Sequence, residues 1–328
     1  VVVPALGKPI GIVPEIGESE FKKTWLDDIK TWPSPRPEDE GISIVKSTLE
    51  DLKKIHGQIG AEFGKEMAIR MSVRDLFKLK ENLNTNIVDG SDAIWEMRMI
   101  KTNAEVERIK HICSIASDAY YDLPSKLNIG DTEREAVNKL KIDIINRGAD
   151  NVPFMPGISG EGGVSQIVCG PSDRIIEKGD ILFIDTGSTF DGYFCDFDRN
   201  FAFGSATSEV EKVNEILWNA TEAGINAAKP GVSTFDIFNT MNKIISDGNA
   251  LGNNVGRLGH GLGLQLTEPP SHRPGDNTLI KENMVLTIEP GMEYAQGKMI
   301  VHEENVVIRK DGAELITKRA PKEIPIIK

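Results

Sequence analysis

Cysteine, histidine and an excess of positive charge are what this sequence most lacks. Three cysteines, Cys113, Cys169 and Cys195, are spread over 328 residues. They are odd in number and form no Cys-x-x-Cys pair. That excludes a disulfide scaffold and a zinc ribbon, and points to free thiols in a reducing compartment. Lys and Arg number 38 against 50 Asp and Glu, a net charge of -12. Chains that grip a phosphate backbone need clustered Lys and Arg, so nucleic acid is excluded as a partner. No apolar run reaches the roughly 18 residues that span a bilayer. No signal-peptide pattern opens the chain. No membrane partner is expected, and the expected location is cytoplasmic. The chain starts "VVVPALGKPIGIVP" without Met, so a preceding segment is expected.

What is present reads as two mixed α/β domains. In the first, residues 1–97, "VVVPALGKPIGIVP" suggests strand, turn, strand. Leu49, Leu52, Ile55 and Ile59 follow the cap candidate Ser47 at helical spacing, with His56 expected on a solvated face. "KEMAIRM" is expected as a short strand, "SVRDLFKLKENL" as a capped helix and "WPSPRPEDEG" as a loop. In the second, residues 98–328, Thr102 and Glu105 form a capping box. The helix after them buries Ile109, Ile112, Cys113 and Ala116, and His111 within it is expected to be structural.

The second domain contains an internal repeat. "NIGDTEREAVNKLKIDIINRGAD" (128–150) matches "KPGVSTFDIFNTMNKIISDGNAL" (229–251) in its Gly, its Ser/Thr cap, its Ile pair and its closing Gly. "GDILFIDTG" (179–187) matches "ENMVLTIEPG" (282–291), which puts Asp185 and Glu289 at the same place in the two copies. Such a period fits two half-units about a pseudo-twofold axis, with both acids directed at the centre. A second acid follows each: Asp196 eleven residues after Asp185, and Glu303 fourteen after Glu289. A hairpin return places each beside its partner. Asp191, in "DG", is the turn residue. Asp198 and Glu304 are expected on the opposite pleat or one step off.

Four carboxylates in one interior cannot all ionise unaided. Either they take up protons or divalent cations neutralise them. His260, flanked by glycines in "GHGLG", completes an oxygen-rich ligand set: Asp185, Asp196, His260, Glu289 and Glu303. The set suits Mn, Fe or Co, with Zn also compatible. Five ligands suit two divalent ions bridged by carboxylates and a hydroxide.

At these residues the chain resembles the pita-bread metallopeptidases of the M24 type, which include methionine aminopeptidase, Xaa-Pro aminopeptidase, prolidase and the creatinase relatives. "IDTGSTFDGYFCDFDR", "GHGLG", "LTIEPG" and "HEENVVI" carry the likeness over residues 98–328. Residues 1–97 resemble the creatinase-type N-terminal domain more loosely and without its beginning. The resemblance implies a pita-bread α/β (α+β) catalytic domain, and a homodimer that pairs through the N-terminal domain. It also implies roles: Asp185 on one metal, Asp196 and Glu303 bridging, His260 and Glu289 on the second. Glu289 is the catalytic proton carrier for attack on an amide of a small peptide.

Departures from the family pattern set the alternative. A substrate-contacting His is replaced by Thr267, another by Val168, an Arg by Val301 and a Thr by Asp198. His272 and His302 are the substitutes available in sequence. One reading is therefore an Xaa-Pro dipeptidase or aminopeptidase. A second is an amidinohydrolase or lyase on the same scaffold, acting on a small-molecule metabolite. A third, a protein-binding module without catalysis, fits poorly with a complete ligand set.

Overall fold

Two stretches of this chain, about 100 residues apart in sequence, build the same substructure, and the computed structural model shows it hydrogen bond by hydrogen bond. It describes residues 1–328 apart from 57, 84 and 253–255 and the side chains of 53–56, where His56 falls. The chain divides into two compact units, Val1–Ile94 and Trp95–Lys328.

The first unit holds β1 (Ile10–Pro14), α1 (Glu18–Phe21), β2 (Asp28–Trp32), α2 (Ile42–His56), β3 (Ile59–Ala61), α3 (Val73–Asn82) and β4 (Ile87–Asp89). β1 pairs with β2, and β3 with β4, both parallel. Val2 and Ile10 exchange backbone hydrogen bonds around Gly7 (φ +113°), so the opening read as strand, turn, strand has a single-residue bridge in place of its first strand. Ser72 caps α3 by accepting from the Asp75 N–H. Three expectations fail. Ile59, read with the helical set, lies beyond α2 and opens β3. α2 begins at Ile42, so Ser47 lies inside it, with its hydroxyl on Ile44 O. "KEMAIRM" forms no strand, because Glu66 (φ 60°) and Arg70 (φ 50°) sit in the left-handed region and break the extended run.

α4 (Ser91–Met99) carries the division between the units. The second unit then runs α5 (Asn103–Asp122), α6 (Glu133–Asn146), β5 (Asn151–Phe154), β6 (Gly157–Glu161), β7 (Asp180–Phe190) and β8 (Tyr193–Phe203). It continues with α7 (Ser208–Ala227), α8 (Thr234–Asp247), β9 (His260–Gly261), β10 (Glu268–Ser271), β11 (Val285–Ile288), β12 (Gly291–Ala295) and β13 (Lys298–Val301). β14 (Glu304–Arg309), β15 (Gly312–Leu315) and β16 (Ile326–Ile327) close the chain.

The halves match in detail. α5 and α7 are both 20 residues long, capped by Thr102 and Thr207. α6 and α8 are both 14 residues long, capped by Thr132 and Ser233. Gly130 N–H donates to Ile176 O, and Gly231 N–H to Ile280 O; Ile176 N–H donates to Asp131 O, and Ile280 N–H to Val232 O. The antiparallel pair β7–β8 has its counterpart in β11–β14. Each half has its own apolar cluster: Ile109, Leu140, Phe197 and Phe201 in one, Leu217, Met241, Leu286 and Val306 in the other. His111 packs edge-on against Phe190, ring centroids 4.4 Å apart.

Candidate metal centre

Strand pairing brings the acids together. β7 and β8 form a two-residue hairpin at Asp191 (φ 49°) and Gly192 (φ 83°), the geometry that "DG" favours. In its register Asp185 faces Asp198 and Gly187 faces Asp196. Side chains of facing residues lie on one side of a sheet, and alternate residues share a face. Asp185, Asp196 and Asp198 therefore share one face, and the expectation that Asp198 lies off it is corrected: two residues along a strand restore the same side. Gly187 leaves room there: a Cβ would come within 2.4 Å of Leu266 Cδ1 and 3.0 Å of Phe154 Cβ, so both would have to give way.

The other half contributes from the end of β11. Ile288 pairs with Glu304, and His302 N–H donates to Pro290 O (3.0 Å), so Glu289 and Glu303 lie between two tied points. Glu304 is drawn elsewhere: buried, it accepts from Arg199, Arg319 and the Ala320 N–H. Asn305 Oδ1 accepts from the Asp196 N–H (2.9 Å), tying β8 to β14 where the halves meet.

His260 stands on β9. Its N–H donates to Thr287 Oγ1 (3.1 Å), and Nδ1 lies 2.8 Å from Gly261 O. That contact fixes the tautomer with the proton on Nδ1 and leaves Nε2 to face Asp196 Oδ2 at 3.3 Å. Gly259 (φ +129°) precedes it, and a Cβ there would lie 2.3 Å from Thr287 O.

Ligand atoms of Asp196, His260 and Glu303 lie within 4.8 Å of one another, all three residues buried. Asp185 and Glu289 are half-buried and lie outside that tightest group. They reach it electrostatically. Burial pushes the carboxyls of Asp185, Asp196, Asp198 and Glu303 well above the usual carboxylate range. Mutual repulsion adds to this, from Asp196 at Asp185 and from Asp196, Glu289 and Asp185 at Glu303. Glu289 is pushed to about 7 by burial, against the opposing influence of His260. Among the described residues, Asp185 Oδ1, Glu303 Oε1 and both carboxylate oxygens of Asp198 are buried without a hydrogen-bond partner. Buried acceptors without donors are costly unless something else meets them. Oxygen acceptors with one neutral imidazole nitrogen suit hard or borderline divalent cations, so the residues present fit such ions.

The expected substrate residues fare differently. Thr267 is half-buried just before β10, and its Oγ1 accepts from Arg257 Nη2 (3.3 Å). Val168 is 73% exposed in the connection between β6 and β7. His302 is turned to α7, with Nε2 2.8 Å from Asn214 Oδ1, and burial takes its pKa down to about 3. It lines a cavity of about 240 Å³ together with Tyr120, Asn214 and Arg319. His272 is fully buried behind Gly259, brought down to about 4 by burial and by His260 nearby. Sequence reasoning named Asp198 but put it off the face that the period-two rule gives it; it did not single out Arg257, which only the folded loop brings to Thr267.

A family model described as metallopeptidase family M24 matches residues 107–310. The chain is 32% identical over 256 residues to the Xaa-Pro dipeptidase of Pyrococcus furiosus, covering 78% of this chain and 73% of that one. It is 31% identical over 231 residues to the Xaa-Pro dipeptidase of Pyrococcus horikoshii, covering 69% and 65%. Among solved structures it is similar to a prolidase from Thermococcus sibiricus, with TM-score 0.87 and 28% identity over 98% of this chain and 86% of that one. It is also similar to an X-Pro aminopeptidase from Thermotoga maritima, with TM-score 0.82 and 28% identity over 96% and 87%.

Proposed function

The chain belongs to metallopeptidase family M24, and on that premise we propose that it is a dinuclear metal-dependent hydrolase that cleaves the amide bond of small Xaa-Pro peptides. The observation that carries this reading is the set of buried, partnerless acid oxygens around Asp196, His260 and Glu303. Asp185, Asp196, His260, Glu289 and Glu303 would hold two divalent cations. Bound there, such ions polarise a carbonyl and lower the pKa of water.

The protein's own part is proton handling and positioning. Glu289 is the general acid–base residue of the set; burial takes it to about 7, and a bound cation would draw that value down. It takes the proton of the attacking water as the oxygen bonds to the carbonyl carbon. It then gives that proton to the departing nitrogen as the C–N bond breaks. His260 keeps its Nδ1 on Gly261 O and so offers Nε2 alone. The clustered glycines of "GHGLG" let the backbone close in around the imidazole.

A second reading is favoured by Thr267 and Val168. Neither can act as an acid or base on a scissile peptide, which supports a non-peptide metabolite as substrate on the same scaffold. One experiment tests both: metal-loaded protein assayed on Xaa-Pro dipeptides beside small guanidino, betaine and sulfonium compounds, with Asp196→Asn and Glu303→Gln as controls. Each substitution is expected to remove activity and metal content together. Full activity in either variant would overturn the ligand assignment, and turnover of the metabolites alone would overturn the peptidase reading.

A further inference from the structure

β8 pairs with β7 along its whole length, but on its other edge β16 reaches only Ala202 and Phe203. The rest of that edge runs along the seam between the two halves. Phe194 N–H donates to Gly263 O (2.8 Å) and Ala202 N–H to Pro325 O (2.9 Å). Between them, the partner of buried Asp196 is a side chain. Its N–H donates to Asn305 Oδ1 (2.9 Å), and its carbonyl accepts from Asn305 Nδ2. In a hydrogen-bonded antiparallel pair, two facing residues exchange both backbone bonds. The Asn305 amide copies that exchange. Only one orientation of the amide does so, since the flipped one sets NH2 against N–H and oxygen against oxygen.

This clamp stands where the second half holds its own acid and imidazole. Asn305 is fully buried on β14, two residues after Glu303, and faces Thr287 across β11–β14. Thr287 Oγ1 in turn accepts from the His260 N–H (3.1 Å). Asn305 is itself held. Its N–H donates to Thr317 Oγ1 (3.3 Å), its carbonyl accepts from the Ile316 N–H (3.0 Å), and the Cys113 thiol of α5 lies 3.4 Å from Oδ1. One side chain thus joins Asp196 of the first half to the segments that hold His260 and Glu303, the three residues whose ligand atoms gather within 4.8 Å. Asparagine suits the task. An aspartate would accept from the N–H but set an oxygen against the Asp196 carbonyl, and a glutamine adds a methylene.

We propose that Asn305 is a positioning residue. By pairing both backbone groups of Asp196, it sets where that carboxylate stands relative to His260 and Glu303, and with it how tightly the site holds divalent cations. The inference deepens the reading above and rests on it for the cations. It assigns to a side chain that touches neither cation nor substrate the task of keeping the two halves of the ligand set in register.

The test separates positioning from packing. Wild type, Asn305→Ser, Asn305→Asp and Val306→Ala are titrated with Mn, and the electron paramagnetic resonance spectrum of the bound Mn is recorded. Asn305→Ser removes the clamp and leaves room for water, which protects the fold. Val306 is the next residue, with its side chain in the apolar cluster of the second half, so its alanine variant controls for lost stability. Groups that orient a metal ligand typically affect metal affinity or activity by about 10- to 100-fold. A loss of that size in Mn affinity is expected for Asn305→Ser and Asn305→Asp, with an altered Mn spectrum at saturation. Val306→Ala should keep the wild-type affinity and spectrum even where its melting temperature falls. On a substrate that the wild type turns over, the saturated Asn305 variants should lose kcat and keep KM. Wild-type affinity and spectrum in folded Asn305→Ser, or an equal loss in Val306→Ala, would overturn the proposal. A wild type that takes up no Mn, Co, Fe or Zn would instead overturn the metal reading, and this proposal with it, before any variant is compared.

Discussion

Asp198 shows how much one side chain can ask of its surroundings. It is 2% exposed, faces Asp185 across the hairpin, and neither of its oxygens has a hydrogen-bond partner among the described residues. Burial, with Asp185 next, raises its pKa. In metal-stripped protein it is held at a cost, so Asp198→Asn is expected to stabilise that form by about 1–2 kcal/mol near pH 7. Urea denaturation of stripped wild type and variant measures it, and a loss of stability would mean that the carboxylate has a partner in solution. The sequence contained this residue in plain view. The alternation of side chains was enough to place it with Asp196, whereas its pairing with Asp185 needed the register.

At the scale of elements, a buried ion cluster holds the loop that carries Thr267. Glu268, 1% exposed, accepts from Lys101 Nζ (3.1 Å) and from Arg98, and also from the Gln265 N–H (3.2 Å). Lys101, 3% exposed, enters from just ahead of α5, and burial lowers its pKa against the pull of Glu268. Gly263 leaves the room, since a Cβ there would lie 2.9 Å from both Glu268 carboxylate oxygens. Glu268 pairs with Gly261 between β10 and β9, one residue from His260. Removing one partner of a buried pair leaves an uncompensated charge. Lys101→Met is therefore expected to destabilise the fold by about 2–4 kcal/mol, less than for an isolated pair because Arg98 remains. A urea midpoint unchanged from wild type would refute it. Nothing local in the sequence joins Lys101 to Glu268; they are 167 residues apart.

Over the whole molecule, the meeting of two half-units makes an acidic interior whose stability is expected to depend on pH and, on the proposed function, on cations. A carboxyl whose pKa is higher in the folded chain than in the unfolded one binds its proton more tightly when folded. Its contribution is therefore greatest at low pH. Stability falls as pH rises from the unfolded carboxylate range near 4 through the folded values, about 7 at Glu289. Metal-stripped protein should lose melting temperature between about pH 5 and 8, and Mn or Co should reverse the loss increasingly as pH rises, because cations compete with protons for the same oxygens. A melting temperature independent of pH in stripped protein, or equal stabilisation by the cation at pH 5 and pH 8, would contradict the shared-cage account.

By itself the sequence determined the duplicated α/β plan and singled out Asp196, His260 and Glu303, which the fold gathers, because strand period, capping residues and a matched repeat are local signals that survive without coordinates. It misplaced a helix start and invented a strand at "KEMAIRM", where left-handed backbone at two ordinary residues gave no warning. Only the tertiary structure decided that Asp198 faces Asp185, that His302 serves Asn214 and that Arg257 reaches Thr267. Those outcomes depend on register and on contacts between distant segments, which no window of neighbouring residues encodes.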